Sequence, residues 1–175
     1  ICYGSLSVRR RHEDFDALLL FDQNLTGGVL DGMHSQLFTL REQSGLFYAA
    51  GGSLLAGTGT EPGMIIIKAL VSNDRLQKAQ EQIENLIERA PLQYTQEDHE
   101  EAQRALINTF SDHFATQLQT AHTFIILDRY GLPFDHFDKR PQQLRSLDYI
   151  TVQETAQKYM KTSRFVTVRA GRVHD

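Results

Sequence analysis

The chain of 175 residues has one cysteine, Cys2, and therefore no internal disulfide. That is compatible with a reducing compartment and does not prove one. No apolar run approaches the roughly 20 residues of a membrane-spanning helix. The longest, 64–71 and 123–127, are the size of core elements. Positive charge is not in excess either: the net formal charge is -4. Nucleic acid is thereby argued against as a partner, since its binders carry a basic face. Internal repeats, low-complexity segments and composition shifts that would mark a domain boundary are missing too. What remains is ordinary for a globular chain, 41% hydrophobic and 23% charged residues, and excludes a disordered or collagen-like one. A chain of this length can bury roughly 70% of its unfolded surface. We expect one domain over residues 1–175. The start, Ile1-Cys2-Tyr3-Gly4, has no initiator methionine and no signal-peptide pattern, and looks like a strand under way. It suggests a piece of a longer protein.

The pattern of apolar residues predicts strands over 1–8, 46–56, 64–72 and 164–168. The Gly57–Gly63 stretch makes the middle two an antiparallel hairpin. Ile65-Ile66-Ile67 does not alternate, which suggests a strand covered on both faces. Helices are predicted over 12–25, 34–42 and 74–90, then from Thr95 as far as Tyr130, and from Thr151 to about Met160. Thr95 with Asp98, and Thr151 with Glu154, supply the two capping boxes. The order of elements gives an α+β fold: two layers, a mainly antiparallel sheet with helices packed on one face.

Chemistry-bearing motifs are few. Zinc peptidase helices need paired histidines four residues apart with a glutamate beside one of them. His12-Glu13 meets Asp16 where the second histidine would stand, and His99-Glu100 meets Gln103. His34, His113, His122 and His136 have no histidine at that spacing. Asp135-His136-Phe137-Asp138 is expected to be a solvated loop, and Cys2 a buried strand thiol. His12 with Asp16 is expected to form a surface pair on one helix face. His113 and His122 are expected to be half-buried and satisfied. The glycines at 51, 52, 57 and 59 lack the Gly-Lys-Ser/Thr ending of a phosphate loop. Arg9-Arg10-Arg11 is basic enough to touch phosphates, but a solvated strand end is the simpler expectation in an acidic chain.

One segment is more specific. Gly27-Gly28, then Ser35-x-Leu37-Phe38, then Leu40-Arg41-Glu42, then Gly45-Leu46-x-Tyr48 resembles the later domain of the insulinase, pitrilysin and mitochondrial-processing-peptidase family of zinc peptidases. Thr95, Tyr130-Gly131-Leu132-Pro133, Ile150-Thr151-Val152 and the last strand follow in the family's order. The resemblance implies half of a metallohydrolase of the LuxS and processing-peptidase kind. In that family an earlier domain carries an inverted His-x-x-Glu-His zinc site, and the later one lacks the metal. It implies no metal or cofactor in this chain, with zinc on another domain of the same chain or on a partner subunit. That zinc-bearing homologous domain and a peptide substrate are the implied partners. Arg41 and Tyr48 have the spacing of the arginine and tyrosine that the later domain presents to the substrate. Arg41 would position the peptide and Tyr48 would donate to the oxyanion. A relative kept only as scaffold or assembly part is the alternative. The chain alone is expected to be inactive.

Overall fold

The computed structural model describes residues 1–28 and 35–171. Four strands, β1 (Cys2–Leu6), β2 (Phe47–Ala56), β3 (Met64–Val71) and β4 (Val166–Val168), form one sheet in the order β2-β3-β1-β4. All three pairings are antiparallel. Seven α-helices lie among the described residues: α1 (Phe15–Thr26), α2 (Gln36–Ser44), α3 (Leu76–Gln93), α4 (Gln96–Asn108), α5 (Gln117–Arg129), α6 (His136–Ser146) and α7 (Tyr149–Tyr159). The predicted α+β fold is the one observed.

The sheet has one covered face. Ile65, Ile67 and Ala69 of β3 are buried, whereas Met64 and Leu70 are 50% and 58% exposed, Lys68 is exposed and Ile66 is half-buried. Strand geometry sends successive side chains to opposite faces. The expected burial of Ile65-Ile66-Ile67 on both sides is therefore wrong. Leu6, Val166 and Val168 are exposed as well, and Cys2 is half-buried in β1, not fully buried. On the inner side, Leu18, Phe21 and Leu25 of α1 meet Ile83 and Ile87 of α3 and Val152 and Ala156 of α7 in one core. Fully burying each large aliphatic side chain contributes about 1.5–3 kcal/mol.

The Thr95 cap forms as predicted: its hydroxyl accepts from Asp98 N at 3.2 Å, and Asp98 accepts from Thr95 N at 2.9 Å. The helix it opens does not run on to Tyr130. It stops at Asn108, passes through a 3-10 segment, Thr109–Phe114, and restarts behind Thr116, whose hydroxyl accepts from Gln119 N. Thr109 and Ser111 hydroxyls bond back to the carbonyls of Leu106 and Asn108, competing with helix hydrogen bonding. The apolar stripe ends there, leaving Phe114 and Leu118 exposed.

Two further helix expectations need correction. α7 begins at Tyr149 and not after Thr151; Asp148 is its cap, accepting from Thr151 N at 2.8 Å. Residues 135–138 are not a solvated loop but open α6, with His136 and Arg140 on its buried side. Arg140 grips Asp16 of α1 through both guanidinium ends. Asp16 is thus engaged by Arg140 and does not pair with His12, which sits before α1 and accepts from Asp14 N at 3.1 Å. His113 and His122 are exposed, although the His113 ring packs on Phe137 with centroids 4.5 Å apart.

Burial, followed by the charges of Arg140 and Arg10, pushes the His136 imidazole down to about 4, while Asp16 and Asp135 oppose the shift. Unfolded histidine titrates near 6.5. Between those values the unfolded chain takes up a proton that the folded chain refuses, so stability is lost as pH falls from 6.5 to 4. We expect urea unfolding to show a loss on the order of 1–3 kcal/mol across that window. In His136→Phe the part of the slope due to this residue should disappear.

Candidate functional site

The candidate residues sit where a helix hands over to the edge strand. Ser35 caps α2, its hydroxyl accepting from Phe38 N at 3.2 Å. Arg41 lies in the last turn of α2, where a cation also favours the helix dipole. Gly45 ends the helix at φ 60°, its N–H donating to Arg41 O at 3.3 Å. That left-handed conformation disfavours side chains by roughly 1–2 kcal/mol. Gly45→Ala is therefore expected to lower unfolding free energy by about 1 kcal/mol. Thermal unfolding measures it. Residues 29–34, including the first residue of the predicted 34–42 helix, lie outside the described residues.

Tyr48 is set by a β-bulge. Phe47 pairs with Val71 and Ala49 with Leu70, so Tyr48 is the extra residue of β2. Phe47 turns into the core, and Tyr48 and Ala49 both face solvent. Tyr48 is 80% exposed, the extreme for an aromatic residue among those described. Bulges are a common way to re-aim a side chain. Among the described residues no hydrogen bond holds the Tyr48 hydroxyl, and Arg41 has only an exposed ion pair, Nε to Glu42 Oε1 at 3.7 Å. Its guanidinium lies 5.9 Å from the Phe38 ring centroid. Both polar groups are thus available to a ligand. They hang on rigid elements, the end of a capped helix and the start of a paired strand.

A shallow groove of about 310 Å³ runs beside Tyr48, lined by Ala49, Ala50, Gly51, Lys68, Ala69 and Leu70. The sequence motif did not point to it. Its signal was the small-residue run Ala49-Ala50-Gly51-Gly52 inside a strand, where β-branched and aromatic residues are the usual choice. Gly52 is required for packing: a Cβ there would lie 2.3 Å from Ile66 O. At Gly51 the same position opens on empty space, so the main chain is accessible from outside. β2 is moreover an edge of the sheet.

The described residues do not fit a metal ion. Among the described residues no three of His, Cys, Asp and Glu converge. Buried His99 is taken up internally, its Nδ1 accepting from the Tyr94 hydroxyl at 3.2 Å and its Nε2 donating to Leu147 O at 2.9 Å. His136 faces Arg10 and Arg140, which repel a cation.

A family model described as the peptidase M16 inactive domain matches residues 1–106. The chain belongs to that family. The inactive-domain assignment implies no zinc binding here. Solved structures agree in fold. An M16 inactive domain from Pseudomonas fluorescens superposes with a TM-score of 0.79 at 18% identity, over 94% of this chain and 38% of that one. An inactive peptidase domain from Bordetella parapertussis gives 0.76 at 16% identity, over 94% and 87%. The ferredoxin protease FusC, bound to Arabidopsis ferredoxin, gives 0.64 at 14% identity, over 90% of this chain and 17% of that one. The chain thus spans well under half of the Pseudomonas protein. Comparison with curated proteins returns no match. No helix among those described is long and apolar enough to cross a membrane.

Proposed function

We propose that this M16 inactive domain is the substrate-clamping half of a zinc peptidase. It closes a peptide chamber against a zinc-bearing domain and presents Arg41 and Tyr48 to the peptide held there. The observation that carries the proposal is the bulge at Tyr48, which keeps a large aromatic 80% exposed beside an open small-residue groove. An extended peptide would lie along that groove, and Arg41, on the helix that leads into β2, has a guanidinium fork that suits a carbonyl or carboxylate. The Tyr48 hydroxyl can donate to an amide oxygen as charge develops on it. A zinc site on the other domain, when occupied, would supply the attacking water. The ferredoxin bound to FusC, a relative in fold, is consistent with a polypeptide substrate.

The test compares the chain alone with the assembly that contains it, on a quenched fluorescent peptide library with and without a zinc chelator. Cleavage by the assembly only, abolished by the chelator, is the expected result. An assembly that binds its zinc-bearing partner but cleaves nothing would leave the chain a scaffold and overturn the proposal.

A further inference from the structure

Of the three consecutive arginines, Arg9 and Arg11 are exposed, as a solvated strand end would have them, and Arg10 is half-buried. They divide a double concavity at the far end of the β2–β3 hairpin from Tyr48, roughly 30 Å away at ~3.3 Å per strand residue. Arg10 N–H donates to Gly59 O at 2.9 Å, tying the basic run to the hairpin turn. On one side, a hollow of about 640 Å³ is lined by Arg9, Arg10, Arg11, Arg129, Asp128 and Tyr130. On the other, a hollow of about 450 Å³ shares Arg10 and Arg11 and adds Phe15, Leu132, His136 and Arg140, with the carboxylates of Glu13 and Asp16 also on its wall. Arg11 reaches across to the Gly131 turn, where a Cβ would lie 3.3 Å from its Nη1.

Among the described residues Arg9, Arg10, Arg11 and Arg129 make no ion pair. Arg140 is matched by Asp16. Four guanidinium groups without an ion pair thus gather around one carboxylate, Asp128, in a chain of net charge -4. Arg10 is fixed above the Phe15 ring, 4.6 Å from its centroid, so part of the array is pre-organised. His136 is buried with no hydrogen-bond partner on Nε2. Burial, and then the charge of Arg140, push the Arg10 guanidinium down, while Asp16 opposes the shift.

From this juxtaposition we infer that the double hollow around Arg10 and Arg11 binds an acidic peptide segment. Carboxylates spaced along an extended chain can meet arginines spaced along the groove, each by a two-pronged contact. The apolar walls at Phe15, Leu132 and Tyr130 suit the intervening side chains. A single small anion would engage only one part of the array. A nucleic acid would meet the acidic remainder of the surface. The groove is separate from the Tyr48 site, so its failure would leave the clamp intact and the reverse also holds.

Fluorescence anisotropy of the intact protein with labelled decapeptides tests it, using an alternating Glu/Ala peptide and its Gln/Ala counterpart. The Glu peptide should bind saturably and at least tenfold more tightly, with affinity falling as salt rises. Arg11→Glu should weaken it at least tenfold. Arg89→Glu, the same charge change on the exposed face of α3, should weaken it less than twofold. Circular dichroism checks that both variants fold. Equal binding of the two peptides, or equal losses in the two variants, would overturn the inference. So would saturable binding of inorganic pyrophosphate without binding of the Glu peptide.

Discussion

Tyr48→Phe is expected to lower turnover of the assembled peptidase by about 10²–10³, the usual effect of losing one oxyanion donor. The substitution removes one oxygen from a side chain that is 80% exposed and makes no hydrogen bond to a described residue, so folding should be unaffected. The ring remains to pack on the peptide, so KM should change little. An interaction made only in the transition state lowers kcat and kcat/KM together. Arg41 should behave differently. In the proposed role it would hold the peptide in ground and transition states alike, so Arg41→Ala should act mainly on KM. A Tyr48→Phe enzyme with full kcat would remove the donor role while leaving Arg41 to be judged separately.

The second large effect is on stability. Asp16→Ala is expected to cost about 3–5 kcal/mol, the range for stripping one partner from a buried pair. That is a large part of the 5–15 kcal/mol available to a typical domain. Arg140 is 6% exposed and would be left charged beside Arg10 and His136. The reverse change should cost less. Asp16 retains 28% side-chain exposure, so water can reach it once Arg140 is gone. Replacing both by apolar residues of similar volume should recover much of the loss. Urea unfolding of the two single variants and the double variant measures all three. A loss below about 1 kcal/mol in Asp16→Ala would show that the pair is solvated and unimportant.

Much of this arrangement was legible in the sequence, for identifiable reasons. The apolar spacing of Leu76, Ala79, Ile83 and Ile87 announces α3, and the Gly57–Gly63 stretch announces the hairpin. The Thr95 capping box was recoverable because its bonds are local. α6 was not, since Pro141 and a run of polar residues argue against a helix there. What holds it is a contact with Asp16, 124 residues away, and pattern within a window cannot see that. The exposed face of β3 was misjudged for a related reason. Three consecutive isoleucines look alike in composition, and only the helices on one side distinguish them. At the site, the family resemblance singled out Arg41 and Tyr48, and nothing else in the sequence did. The bulge that turns Tyr48 outward depends on pairing between β2 and β3, and was invisible until the register was known.

The most direct test of the clamp is contact between position 48 and a bound peptide. A photo-crosslinking phenylalanine derivative placed at Tyr48, in the assembly with its zinc depleted to prevent cleavage, would be irradiated with a labelled substrate peptide. The account predicts a covalent adduct at that position, competed by unlabelled peptide, and none from the same group at Leu118, which is equally exposed on α5. Peptide that binds the assembly without an adduct at 48 would contradict it.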